Sequence, residues 1–231
     1  MVIKAILLDL DDTLWDPRPA FVRAERAQYA WLQARAPDLT ARYSVETMRE
    51  HRRALAAQRP EIAHDFTRLR EAALRELLTE VGCPSHWAEE GVAVFVDERS
   101  RVDLFPDALP TLAELARNHT LVALTNGNAD LAIAGVAEHF EACISPAEAG
   151  VRKPDPAMFR AALDVAGVAA AAAIHVGDQP LYDVEGARRA ELAAVWVNRD
   201  GMTWPAELAP AAAEIASLAE LPALIQRLNR G

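Results

Sequence analysis

Asp9, Asp11 and Asp12, with Thr13 beside them, follow directly on an apolar run at residues 3–8 near the start of the chain. Two carboxylates two positions apart at a strand's exit face the same side. Unless their charge is offset, one of them keeps its proton. A Mg²⁺ ion removes that conflict, because it takes oxygen ligands from one or two carboxylates, water and a substrate's phosphate. Further along come Thr125 and Asn126, Lys153, and the pair Asp178 and Asp183, each near the end of a short apolar run. Singly they are weak signals: Thr125 can finish a strand, Lys153 before Pro154 can be a solvated charge, and Asp178 can cap a helix. Together they are the parts of a phosphoryl transfer. A carboxylate can take up a phosphoryl group and split one hard hydrolysis into two steps, which suits Asp9. Asp11 can then protonate the leaving alkoxide and later accept a proton from the attacking water. Thr125, Asn126 and Lys153 supply a hydroxyl, N–H groups and a point charge for the transferring oxygens. Asp178 joins Asp9 and Asp11 as a metal ligand, while Asp183 either reaches the metal through water or orients Lys153.

These residues need a scaffold that brings separate strand ends to one crevice. The run at residues 3–8 reads as a strand covered on both faces. Residues 17–101 are mostly helical: Ala20, Ala24, Ala27 and Trp31 form one apolar stripe, Leu74, Leu77, Leu78 and Val81 another, and Val92, Phe95 and Val96 a third, with breaks at Pro60 and at 82–84. From Phe105 helices alternate with strands. Asp107 is placed to cap a helix reaching Leu115, strands follow at 120–124, 142–144, 172–176 and 193–197, and helices start near Ala129 and at Asp155-Pro156. Alternating strands and helices imply a doubly wound, Rossmann-like α/β parallel sheet with right-handed crossovers. Residues 1–16 and 102–231 make the catalytic core, and 17–101 a helical cap inserted after the first strand. Polar residues at strand ends then meet beyond the carboxyl edge of the sheet.

A chain of 231 residues, 52% hydrophobic and 25% charged, can bury a substantial core. Its net charge of −10 speaks against nucleic-acid or membrane-surface binding, which selects basic patches. Cys83 and Cys143 form no CxxC pair, so neither a disulfide framework nor a zinc site is signalled. No signal-type leader and no spanning apolar stretch is evident, so a cytoplasmic monomer or homodimer is expected.

The chain resembles the haloacid dehalogenase superfamily of hydrolases, in its capped subfamily I with a C1-type cap. The likeness rests on Asp9-Leu10-Asp11-Asp12-Thr13, on Thr125 after the run 121–124, on Lys153-Pro154, and on Gly177-Asp178 followed by Asp183, with the 105–107 segment re-entering the core. That resemblance implies Mg²⁺-dependent hydrolysis of phosphomonoesters through an aspartyl phosphate. It also implies a preference over carbon–halogen cleavage, because the superfamily's dehalogenases lack a carboxylate at the place of Asp11. Residues 16–19, 60–68 and 125–128 are similar to those of bacterial flavin mononucleotide and 5-amino-6-(5-phosphoribitylamino)uracil phosphatases.

That closer likeness assigns substrate contacts to His64 and Arg68 in the cap and to Trp15, which could stack on a planar ring. Simpler readings stand beside each: Asp65 after His64 is a natural helix cap, and an aromatic at a hinge is commonly packing. His175 reads as a core histidine. Arg18, Arg23 and Arg26 read as a solvated helix face. Alternatives on the same fold are a phosphomutase or a haloacid dehalogenase, and outside enzymes a receiver-like phospho-acceptor protein.

Overall fold

The computed structural model describes residues 2–230. Six strands form one sheet in the order β3-β2-β1-β4-β5-β6: β1 Ala5–Leu8, β2 Thr120–Leu124, β3 Ala142–Ile144, β4 Ala173–Gly177, β5 Ala193–Val197 and β6 Ala213–Ile215. All pairs are parallel, with Leu7 opposite Val122 on one side and His175 on the other. Every residue of β1 and β4 is buried, which explains the apolar run of β1 and leaves His175 the one polar side chain of β4. From β1 the chain builds outward to β2 and β3, then returns to β4 and builds the other way. The order therefore reverses between β1 and β4, and a doubly wound sheet opens its crevice at that point.

The chain divides into two compact units: one holds the residues up to Asp16, Asp103–Gly127 and those from Gly135 on; the other holds Pro17–Val102 and Asn128–Ala134. The second unit is helical, with α1 Arg18–Arg35, α2 Pro37–Arg42, α3 Val45–Gln58, α4 Phe66–Glu80 and α5 Trp87–Ser100. Leu32, Leu39, Leu74, Leu77, Leu78 and Val92 form its buried core. Ser44 caps α3 by accepting from the Thr47 N–H at 3.2 Å, and Asp65 caps α4 by accepting from the Arg68 N–H at 2.9 Å; such a cap contributes about 1 kcal/mol.

The sheet unit carries α6 Ala108–Leu115, α7 Pro146–Ala149, α8 Pro156–Ala166, α9 Gly186–Arg189 and α10 Leu221–Arg230. Leu7, Val122, Leu124, Phe159, Val184 and Trp196 share its buried core. Among the described residues no helix is long and apolar enough to cross a membrane.

Three local expectations change. No helix starts at Ala129: residues 128–130 are irregular and 131–135 form a turn. The Asp130 carboxylate accepts from the N–H groups of Ala132 and Ile133 at 2.8 and 3.3 Å, while the Asp130 N–H goes to Ser100 Oγ at 2.8 Å. Side-chain acceptors thus take the donors a helix would use, and Gly135 at φ +77° ends the segment. Asp107 precedes α6 but does not cap it; its carboxylate binds Arg199, Ser217 and the Leu218 N–H instead. The sixth strand was not expected, because its three residues, Ala213-Glu214-Ile215, are too few to show a period.

Candidate active site

Asp9 leaves β1 with its N–H donated to the Val176 carbonyl at 2.9 Å, so the central strand pair still fixes its backbone. The side chain is buried and accepts on both oxygens: from Lys153 Nζ at Oδ1, 2.6 Å, and from Thr13 Oγ1 at Oδ2, 3.3 Å. Lys153 Nζ donates twice more, to Asp183 Oδ1 at 2.6 Å and to the Leu124 carbonyl at 2.8 Å. All three ammonium hydrogens are therefore committed inside the protein. Asn126 holds this lysine's backbone: its Oδ1 accepts from the Lys153 N–H at 2.8 Å and its Nδ2 donates to the Lys153 carbonyl at 3.0 Å. The amide expected to meet substrate is thus engaged in joining two loops. Thr125, also buried, accepts the Gly127 N–H on its Oγ1 at 2.8 Å.

Asp183 lies on a single π turn, Pro180–Glu185. Its Oδ1 accepts from Lys153 and from His175 Nε2 at 2.9 Å, and its Oδ2 from the Gln179 N–H at 2.8 Å. Gly177 makes room for it, since a Cβ at that position would sit 2.8 Å from the Asp183 Cβ. Of the two roles open to Asp183 in the sequence, this geometry favours orienting Lys153. His175 is a core residue with an unforeseen partner. Its Nε2 must carry the proton to serve the Asp183 oxygen, and burial lowers its pKa and keeps the ring neutral.

Asp9, Asp178 and Asp183 each offer an oxygen within 4.8 Å of the others. Three carboxylates face one ammonium, leaving two negative charges to offset. Burial raises the Asp9 carboxyl well above its usual range against the pull of Lys153, and the charges of Asp183 and Asp178 add to the rise. Asp178 is pushed up to about 7, by burial first and then by Asp183. Asp183 goes the other way: burial alone would raise it, but Lys153 and the His175 hydrogen bond hold it below the carboxylate range. Burial would lower Lys153, and Asp183 and Asp9 outweigh it and raise it. The excess charge thus falls on Asp9 and Asp178, the two carboxylates whose all-oxygen chemistry fits a hard divalent cation.

Asp11 departs from the expected set. Its side chain is not in the acidic group, and its Oδ1 accepts the Trp15 indole N–H at 2.7 Å. Asp11 lies beyond the end of β1 at Leu8, where strand alternation no longer applies, and Asp12 at φ +60° turns the chain just after it. Trp15 is fully buried, which leaves no ring face for stacking on a substrate. Its role is to hold Asp11. In the helical unit, Arg68 is exposed and gives its backbone N–H to the Asp65 cap, with His64 in the preceding turn. Sequence reasoning missed Arg199, whose Nη2 donates to the Thr13 carbonyl at 2.9 Å while Asp107 binds its guanidinium on both oxygens at 3.0 Å.

The sheet thus sets a buried carboxylate, Asp9, held by Lys153 within a buried acidic group, at the end of its central strand. The chain belongs to the haloacid dehalogenase-like hydrolase family, whose family model matches residues 3–191. It is 36% identical over 231 residues, 96% of each chain, to 5-amino-6-(5-phospho-D-ribitylamino)uracil phosphatase YigB of Escherichia coli. It is 38% identical to the phosphoserine phosphatase of Thermus thermophilus, over 85% of this chain and 89% of that protein. A crystal structure of 2-haloacid dehalogenase from Pseudomonas syringae pv. Tomato superposes with a TM-score of 0.92 at 41% identity, covering 98% of this chain and all of that one.

Proposed function

We propose that the protein is a Mg²⁺-dependent phosphatase of small phosphomonoesters that works through an aspartyl phosphate on Asp9. Mg²⁺, held by Asp9 and Asp178, would supply positive charge to the transferring oxygens. Asp9 attacks phosphorus, the ester P–O bond breaks, and Asp11 gives its proton to the departing alkoxide. Asp11 then takes a proton from water as that water attacks the acyl phosphate, and Asp9 returns with release of inorganic phosphate. Lys153 holds Asp9 in place and offsets charge throughout.

The observation that carries this reading is the second carboxylate, Asp11, fixed by Trp15 two residues beyond the nucleophile. An alkoxide leaves well only with a proton, whereas a halide needs none. The likeness to a 2-haloacid dehalogenase favours a second reading, displacement of halide from carbon by Asp9. Assaying phosphate release and halide release with one preparation separates them. The panel is the ribitylaminouracil phosphate, flavin mononucleotide, phosphoserine and 2-chloropropionate. Mg²⁺-dependent phosphate release without chloride release supports the phosphatase, and chloride release without added metal supports the alternative. The E. coli relative makes a riboflavin-precursor phosphate the first substrate to test.

A further inference from the structure

Within the helical unit, α1, α3 and α4 line a small, half-open pocket of about 20 Å³ bordered by Glu25, Tyr29, Met48, Arg49, Arg52 and Arg70. The volume admits one water-sized group or the tip of a planar anion. Its charges are unbalanced. Arg49 takes both oxygens of Glu25, donating from Nε to Oε1 at 2.8 Å and from Nη2 to Oε2, and it pairs with Glu46 through Nη1 at 2.9 Å. The Arg52 and Arg70 guanidinium groups stop 3.8 and 4.0 Å from Glu25 Oε1, too far for a hydrogen bond.

These two are not solvated surface cations. Their side chains keep only 23% and 11% of their exposure. Arg70 donates from Nη1 to Gln28 Oε1 at 3.0 Å and lies 3.4 Å from the Phe95 ring centroid. Burial, and next the charge of Arg52, push Arg70 down to about 9. Glu25 stays charged: burial alone would raise it, and Arg49, Arg70 and Arg52 bring it below the usual range. Three guanidinium groups thus surround a carboxylate already saturated by one of them. Arg52 and Arg70 thus share one carboxylate at ion-pair distance without hydrogen-bonding it, and a planar acceptor on a guanidinium fork is strongly favoured.

We propose that this pocket is an anion-binding site for a carboxylate or phosphoryl group, held by Arg52 and Arg70 and separate in its residues from the Asp9 centre. The two-oxygen edge of either group matches the Arg52 fork, and Arg70 supplies the second charge. The site does not depend on the reaction assigned to Asp9.

Isothermal titration and thermal unfolding of the full chain, with sodium acetate in one arm and inorganic phosphate in the other at constant ionic strength, test it. The wild type should bind at least one of the two with a rise in Tm. Binding by acetate alone marks a carboxylate site, and by phosphate alone a phosphoryl site. Arg52→Gln should weaken that binding by about 10- to 100-fold, the loss expected for one charge-assisted partner, and Arg52→Lys should restore part of it. Arg70→Gln should weaken it as well. Phosphate held at the catalytic centre would be unaffected by Arg52→Gln, so it cannot mimic the result. Binding of neither anion, or equal binding by wild type and Arg52→Gln, would overturn the proposal.

Discussion

Lys153 Nζ lies 2.6 Å from Asp183 Oδ1, although thirty positions separate the two residues, and it keeps the same distance from Asp9. Asp183, with the Leu124 carbonyl, therefore holds the lysine beside Asp9. Asp183→Asn should lower kcat by about 10²- to 10³-fold, the scale of losing one preorganised electrostatic partner. Steady-state rates read beside circular dichroism check this. A folded variant with wild-type kcat would contradict the role.

The Trp15–Asp11 hydrogen bond gives a second test. Trp15→Phe keeps most of the buried ring and removes only the N–H. It should slow hydrolysis of an alkyl phosphate by roughly tenfold, for about 1.5 kcal/mol of lost hydrogen bonding to a charged group. Turnover of p-nitrophenyl phosphate, whose leaving group needs little protonation, should change much less. Equal losses on both substrates would assign the bond to stability alone.

The proposed Mg²⁺ site makes Asp178 the next test. Asp178→Asn should raise the Mg²⁺ concentration for half-maximal activity by at least about tenfold, since even outer-shell partners of a metal change its affinity that much. Magnesium titration of the initial rate measures it. An unchanged requirement would remove Asp178 from the metal site.

The Asp107–Arg199 pair anchors the Thr13 carbonyl and should appear in acid stability. Burial alone would raise the Asp107 carboxyl, but Arg199 and Ser217 hydrogen bonds lower it. A folded-state pKa depressed in this way contributes stability that is complete above the unfolded value, near 3.9, and is lost as pH falls through the folded one. Asp107→Asn should cost about 1–3 kcal/mol at neutral pH. Its stability should then fall less steeply than that of the wild type below about pH 4. Urea unfolding at pH 7 and pH 3 checks both; parallel losses at the two pH values would contradict the linkage.

The sheet was legible because β1, β2, β4 and β5 are largely buried runs, and because Asp9, Thr125 and Asp178 each stand directly at the end of one. What the sequence hid is which side chains pair, whether four residues apart or nearly two hundred. Nothing local shows that Trp15 folds back on Asp11, that His175 meets Asp183 across the sheet's edge, or that Arg199 reaches Thr13. Asp11 lies past the end of β1, so strand alternation alone carried no sign that its Oδ1 takes the Trp15 indole N–H. The segment at 128–134 failed because the side chains of Asp130 and Ser100 compete for the backbone.

Asp9 as the proposed carrier of the phosphoryl group is open to direct trapping. Rapid quenching of wild type with Mg²⁺ and a phosphomonoester labelled on phosphorus, followed by peptide mapping, should place an acid-stable, base-labile label on Asp9. Asp9→Asn should show neither label nor turnover. A label on another residue, or wild-type turnover in Asp9→Asn, would contradict the account.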